Sequence, residues 1–401
     1  MRGETATAVT FLVNGAVWSS LVPRLPQIKS QLGLGDAAFG LALLGAGLGG
    51  LIGSAIAPSI LARMPDRRAV VIAGVGLATA GLAPPLVAAG APAAAPVVAL
   101  GAAVLLIGFG DAVHDVSMNV VALGLQRERG ASIMGRLHAL WCAGAVGAGL
   151  LGALAAARDV PVVAHMAVAC VIAAAAQLSV ARSLPHTPPA PQVHTPRAGS
   201  WRSGAWVALA IVGVAAGFIE GPPNDWSAIY LREDLGAGPG LAGIGPVSFT
   251  AAMLVSRLLV DRWIDRWGAA AVSAACGGLV VTGAVLGVLV SNLTALPIAA
   301  LLGFALIGWG AAPVFPLMFV AADQMPGAGV GVGAGAVSAM ARIGFLTAPP
   351  VVGALSQVFG LARALLVIAV GGAIVVLALP PRLRGRGSAD SSEPVAVAQQ
   401  H

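Results

Sequence analysis

The sequence predicts an all-α membrane protein with twelve transmembrane helices, arranged as two six-helix pseudo-symmetric bundles. Three observations lead there. Charged residues make up 9% of the 401 positions and the mean hydropathy is +0.91, whereas soluble domains carry about 25% charged residues. Apolar runs of spanning length recur twelve times. The two halves also repeat each other's local motifs.

The runs fall at about 5–30, 36–61, 69–90, 96–125, 133–157, 160–182, 204–231, 239–264, 269–290, 295–322, 331–358 and 361–380. About 20 mostly apolar residues cross a bilayer as a helix, so each run qualifies as one span. The first run resembles a signal peptide but continues past Asn14, Trp18 and Pro23 to Lys29 with no small-residue cleavage site, and reads as an uncleaved span. Alanine and glycine dominate the runs, which suits close packing where no hydrophobic force drives helices together. Residues 183–203 carry Pro185, Pro188, Pro189, Pro191 and Pro196 among His and Arg and read as a solvated linker. The polar residues 381–401 read as a disordered tail. The expected units are therefore 1–182, the linker 183–203, 204–380 and the tail 381–401.

Arginine is distributed unevenly between the two sets of loops. One set holds Arg63, Arg67, Arg68, Arg127, Arg129, Arg136, Arg182, Arg197, Arg202, Arg262, Arg266, Arg382, Arg384 and Arg386; the other holds only Lys29, Arg158, Arg232 and Arg363. The positive-inside rule then places both termini and the linker in the cytoplasm. The net charge of +6 comes from these loops and not from one basic stripe, so no nucleic-acid partner is expected. Cys142, Cys170 and Cys276 lie inside apolar runs without metal-ligand spacing and read as small hydrophobes.

The repeats set the halves side by side. Ile107-Gly-Phe-Gly in span 4 returns as Ile307-Gly-Trp-Gly in span 10, Trp18-Ser-Ser as Trp226-Ser-Ala, and Gly152-Ala-Leu as Gly353-Ala-Leu. Six plus six spans joined by a long linker is the layout of two parallel repeats with a binding site between them at mid-membrane.

Span 4 also carries what span 10 lacks. Asp111, His114, Asp115, Met118 and Asn119 fall at i, i+3, i+4, i+7 and i+8, the spacing of one helix face. Charged groups at that depth cost several kcal/mol unless they face the bundle interior or a watery cavity. Two carboxylates one turn apart resist double ionisation, a useful property in a proton carrier. Asp115 and Asp111 are therefore the candidates for proton coupling. His114 either shares that proton or is a packed helix-interface histidine.

Several further motifs together carry a family resemblance: Asn14-Gly and Leu21-Val-Pro in span 1, Asp115-x-x-Met-Asn119 in span 4, and His138-Ala-Leu-Trp-Cys-Ala-Gly in span 5. To these are added Glu220-Gly and Asp225-Trp-Ser in span 7 and Arg257-Leu-Leu-Val-Asp-Arg in span 8. With these the whole chain resembles a major facilitator superfamily transporter, nearest to the fucose:proton symporter-like branch. The resemblance implies the superfamily's fold and the bacterial cytoplasmic membrane as location. It also implies a proton-coupling role for Asp115, four positions before Asn119. Ser19 stands where the sugar symporters carry a second acid. The superfamily's loop after span 2 has Ala62 here in place of its Asp, while Asp261, Arg262, Asp265 and Arg266 after span 8 keep the pattern better.

Other residues have two readings each. Glu220 precedes Gly221-Pro222-Pro223, where consecutive prolines predict a helix break. It is either a substrate-facing acid beside a hinge or the carboxylate that stabilises the break. Arg342 in span 11 either holds a substrate anion or pairs with Asp115 across the bundle. His138 is a packing or inner-gate residue, or a ligand. Trp18 and Trp226 read as interface anchors, with Trp18 also able to stack on a sugar ring. Asn14 and Asn119 complete the expected substrate contacts. Arg257 and Asp261 can pair at i, i+4, and with Arg262, Asp265 and Arg266 they are expected to form a cytoplasmic charge lock.

The functional expectation is an alternating-access transporter of a small polar solute, driven by a proton taken up at Asp115. A proton-antiport exporter and a non-transporting sensor are the alternatives. The expected partners are a small-molecule substrate, protons and the lipid bilayer, and a monomer is expected. No cofactor is expected beyond the proton gradient. No nucleophile–base pair or metal set marks an enzyme, and no phosphate-binding loop marks ATP drive.

Overall fold

The computed structural model describes residues 2–64, 66–90, 95–129, 133–185, 204–323 and 332–383. Twelve of its helical segments are long and apolar enough to span a membrane, and the described residues contain no strand. In order they are Gly3–Gln31, Asp36–Arg63, Asp66–Gly90, Pro96–Arg129, Met134–Ala157, Val162–Val180, Trp206–Glu233, Pro239–Trp267, Ala269–Thr294, Pro297–Ala322, Ala339–Phe359 and Leu361–Leu383, called spans 1 to 12. These bounds sit within a few residues of the apolar runs. The exception is span 11, whose apolar window opens at Ala339 although its helix begins at Val332. Most of the expected linker (186–203) and tail (384–401) lies outside the described residues.

The helix pairings repeat from one half to the other. Span 2 packs on 4, 1 on 5, 3 on 6, 3 on 4 and 1 on 6; in the second half 8 packs on 10, 7 on 11, 9 on 12, 9 on 10 and 7 on 12. The repeated glycines explain why. A side chain at Gly108 would strike the Ala46 carbonyl of span 2, and one at Gly308 the Phe249 carbonyl of span 8. Two residues on, Gly110 faces Leu77 of span 3 and Gly310 faces the Cys276 carbonyl of span 9. The Ile-Gly-x-Gly motif is thus a two-sided packing wedge, used identically in both halves. Such close backbone approach supplies the dispersion contact that holds helices together in lipid. Outward side chains such as Leu151, Ile172, Leu302 and Leu377 are exposed and apolar, as a bilayer-facing surface requires.

Several prolines lie within spans without ending them. Span 1 runs as a helix to Leu21, tightens to a 3-10 turn at Val22–Arg24, and resumes at Leu25–Gln31, with Pro23 and Pro26 at the joints. Span 7 corrects an expectation: its helix Gly204–Glu233 continues through Pro222 and Pro223. Proline is tolerated in a spanning helix when nearby side chains satisfy the disturbed backbone. Here the Asn224 amide donates to the Glu220 carbonyl at 2.8 Å and the Ser227 hydroxyl donates to the Pro223 carbonyl.

The two halves meet along spans 2 and 11 and along spans 5 and 8, with the 3-10 turn of span 1 wedged on spans 7 and 8. These crossings start at the arginine-poor end, where Gly353 lies on Asp36 and Ala37, and Gly240 on Ala157. They reach mid-span at Gly47 with Leu346, and at Cys142, whose Sγ lies 3.5 Å from Arg257 Nη1. The halves are therefore sealed together at the arginine-poor end.

Gly108→Val should force the span 2–span 4 contact apart and cost about 1–3 kcal/mol of overpacking, read as a lower Tm of the purified protein in detergent. Gly147→Ala, at an exposed glycine with nothing within 4 Å of an added methyl, should leave Tm unchanged.

Candidate functional site

A cavity of about 370 Å³ lies between the halves at mid-span, within the roughly 300–1,000 Å³ range of small-molecule sites. Span 1 contributes Asn14, Trp18 and Ser19; span 4 contributes Asp111 and Asp115; span 5 contributes Trp141. From the second half come Glu220, Asn224 and Asp225 of span 7, Thr250 of span 8, and Arg342 and Phe345 of span 11. Larger grooves elsewhere, between spans 7, 11 and 12 and between spans 1, 5 and 6, have almost wholly apolar walls and open towards the lipid-facing surface.

Helical geometry divides the span 4 residues between two environments. Asp111 and Asp115, one turn apart, both reach the cavity. His114 is fully buried and turns away into the first bundle. There its Nε2 and the side chain of Gln177 of span 6 both lie close over Gly74 of span 3, where an added methyl group would press on them. Asn14 joins the two environments. Its amide donates to Asp111 Oδ1 at 3.1 Å and lies 3.2 Å from His114 Nδ1, while its oxygen accepts the Trp141 indole N–H at 2.7 Å. Asn119 does not line the cavity; it donates to the Asp115 carboxylate at 3.0 Å and to the Asp115 carbonyl at 2.9 Å. The expected substrate contact at Asn119 is thus a brace for the acid.

Arg342 corrects a second expectation. It attracts both Asp115 and Asp111 electrostatically, yet no ion pair within 4 Å joins it to either among the described residues, and its side chain faces the same cavity. His138 is likewise not in the cavity wall. Its ring stands edge-on to Phe11 with centroids 5.3 Å apart, which is packing. Trp226 is no interface anchor: it is fully buried, edge-on to Phe39 and against Gly40. Trp18 lines the cavity instead of sitting at the lipid interface.

The expected charge lock on span 8 is not formed. Arg257 turns towards Cys142 Sγ and the field of Glu220 on the facing helices, and no Arg257–Asp261 ion pair exists among the described residues. Asp261, Arg262, Asp265 and Arg266 are exposed, with the Arg266 guanidinium 5.7 Å from the Trp267 ring centre.

A different lock closes the opposite end. Lys29 of span 1 is buried and bridges Asp36 of span 2 at 2.6 Å and Glu233 of span 7 at 2.5 Å. Asp36 also accepts the Ser356 hydroxyl of span 11. The ammonium thus ties span 1 to span 7 across the halves, and the Asp36 that it holds ties span 2 to span 11. Nearby, Arg24 is buried and donates to Gln27 and to the Val160 carbonyl. Asp234 accepts the Ala362 N–H at 3.2 Å, and burial pushes its carboxyl up. The signal in the sequence was slight: Lys29 is the chain's single lysine, at the end that is otherwise poor in positive charge.

Twelve spans in two like halves, with a charged cavity between them sealed at one end, are the architecture of a membrane transporter. The comparisons agree. A model of the Major Facilitator Superfamily matches residues 226–399. The chain is 30% identical over 388 residues to an uncharacterized transporter, y4wD, of Sinorhizobium fredii, covering 93% of this chain and 96% of that protein. It is 28% identical over 379 residues to the membrane protein MosC of Rhizobium meliloti, covering 93% and 88%. Among solved structures, the nucleoside transporter NupG superposes with a TM-score of 0.67 at 14% identity, covering 96% of this chain and all of that one. A D-xylose-proton symporter superposes with a TM-score of 0.64 at 16% identity, covering 95% of each. The chain belongs to the major facilitator superfamily. It is a multi-pass membrane transporter.

Lys29→Met should release the closed end. Spin labels at Gln31 and Arg363, exposed positions on the two halves there, should show a longer-distance population in the variant by pulsed dipolar spectroscopy. A distribution identical to the parent's would mean that the ammonium does not hold the end shut.

Proposed function

We propose that this protein is a proton-coupled secondary transporter of the bacterial cytoplasmic membrane that moves a small polar solute by alternating access, with both termini in the cytoplasm. The observation that carries the reading is the pair Asp111 and Asp115 in the wall of a cavity between the two halves. A carboxylate there is costly, and protonation removes its charge. A proton at Asp115 therefore changes the relative energies of conformations that expose the cavity to different sides, which is what coupling requires.

The remaining groups take roles consistent with their positions. Asp115 is the proton site, held by Asn119. Asp111 is its neighbour, fixed by Asn14, and their mutual repulsion favours one shared proton. His114 serves Asn14 from behind and does not meet the solute. Arg342 attracts whichever carboxylate is ionised and relaxes when the proton arrives. Trp18 and Trp141 offer aromatic walls to the solute, beside Asn14 and Glu220. Arg257, Asp261, Arg262, Asp265 and Arg266 close the cytoplasmic end in the opposite conformation.

Orientation supports the conformational part of the proposal. With arginine-rich loops inside, the sealed end is the outer one and the Lys29 cluster is the outer gate. Polar cargo agrees with the solved neighbours, whose names specify nucleosides in one case and D-xylose with a proton in another. Ser19 also lines the cavity. The place of the fucose-type symporters' second acid is thus at the site but uncharged, and the second half supplies carboxylates instead.

A thermal-stabilisation screen at two pH values identifies a ligand, because a binder raises stability in proportion to ln(1 + [L]/Kd). With that ligand in proteoliposomes, Asp115→Asn should abolish accumulation driven by an imposed pH gradient while solute counterflow persists. Accumulation at the parent rate in the variant would remove Asp115 from the coupling step.

A further inference from the structure

The charges around the cavity do not balance, and the imbalance points to the chemical class of the cargo. Four carboxylates line it, Asp111 and Asp115 from the first half and Glu220 and Asp225 from the second, against the single lining guanidinium of Arg342. The two pairs of acids differ in how they are satisfied. Asp111 accepts from Asn14, Asp115 accepts from Asn119, and both lie in the field of Arg342. On span 7, Glu220 Oε1 is buried with no hydrogen-bond partner. No hydrogen bond or ion pair reaches the Asp225 carboxylate among the described residues. Arg257 touches Glu220 only through its field: its guanidinium donates to Cys142 Sγ, and no ion pair within 4 Å joins it to Glu220 among the described residues.

Ionised carboxylates only accept hydrogen bonds, and a buried acceptor without a donor carries its full desolvation cost. A buried charge must be paired or neutralised. What the span 7 pair lacks is therefore a donor, preferably a cationic one, and both residues line the cavity. An anionic solute would meet a wall with four acids against one guanidinium, and a neutral polyol would supply donors but no charge. A protonated amine supplies both. Trp18 and Trp141 in the same wall suit a cation as well, since aromatic faces attract positive charge.

We propose that the transported solute carries a protonated amine, and that Glu220 and Asp225 of span 7 hold it while Asp115 carries the proton. The inference rests on the transport reading of the same cavity. It assigns the two acid pairs different work: the first half handles the coupling ion and the second half handles the cargo's charge. Asn224, between the two span 7 acids in sequence and also in the wall, is bonded through its side-chain amide to the helix backbone, which leaves its oxygen as a further acceptor.

The test is equilibrium binding to the purified full-length protein, using matched series of probes. The series are hexosamines with their parent hexoses and N-acetyl derivatives, amino alcohols with the corresponding diols, and arylalkylamines with the corresponding alcohols. In at least one series the amine should raise Tm while its neutral counterparts do not. Glu220→Gln and Asp225→Asn, near-isosteric changes that keep the helix, should each weaken amine binding by about tenfold or more, equivalent to about 1.4 kcal/mol. Both variants should narrow the preference for amine over neutral probe. Neutral probes binding as well as the amines would overturn the proposal, as would amine binding unchanged in both variants or no amine shifting Tm in any series. Protons on Glu220 and Asp225 as the sole source of neutralisation would give the first of those results. Because the readout is binding, these outcomes are independent of whether Asp115→Asn abolishes gradient-driven accumulation.

Discussion

The cost of placing charge in a membrane interior governs this structure. Every ionised side chain at mid-span must be paired, braced by donors, or turned towards a water-accessible space. Span 4 meets the last two conditions around two carboxylates and adds an opposing charge that stops short of an ion pair. Asn14 and Asn119 supply donors, Arg342 supplies an opposing field, and the cavity supplies the space. Asn14 could not reach Asp111 if span 1 stood further off. Its oxygen is held by the Trp141 indole N–H because Gly15 lets span 1 lie against the Trp141 carbonyl of span 5. The charged site therefore depends on the glycine packing around it, and the glycines alone would leave an ordinary bundle.

Most of the scaffold was legible in the sequence, because the physics of spanning is written in composition. Run length and the Ile-Gly-x-Gly repeat each translate directly into a span or a helix contact. Site geometry was only half legible. The i, i+4 spacing of Asp111 and Asp115 placed both in one wall, but His114, one residue from Asp115, rotates by about 100° into a different environment. A five-residue helix face is broad enough to hold both a cavity wall and a packed interior. Helix spacing also suggested the Arg257–Asp261 pair, which loses to a partner across the boundary between halves. Local periodicity carries no information about which facing helix competes for a long side chain.

The same limit explains Lys29 and the prolines of span 7. A lone lysine among few positive residues at one end reads as topology until its partners Asp36 and Glu233, seven and 204 positions away, are seen on either side of it. Pro222 and Pro223 read as a break because proline removes donors, but Asn224 and Ser227 in the next turn bond back to the helix. The determining information lay in residues that have little propensity of their own and act through partners.

The relation between the halves gives the site its logic. Spans 4 and 10 share their glycine wedge, yet where span 4 has Asp111, His114, Asp115 and Asn119, span 10 has Ala311, Val314, Phe315 and Phe319. Phe315 stacks on Phe345 of span 11, with ring centroids 6.2 Å apart. The second half thus fills with aromatic packing the position where the first half keeps its acids. It places its own carboxylates on span 7, which by the Trp18–Trp226 repeat corresponds to span 1. The acids of the two halves are therefore not symmetry mates, and a rocking motion of the proposed cycle that preserved each bundle would change the distance between the two acid sets. Charge placed on one set is felt by the other to a degree that depends on conformation. On the proposed transport reading, that dependence would let a proton on one half alter the hold on a solute at the other without direct contact between them, which a fully symmetric distribution of acids would not offer.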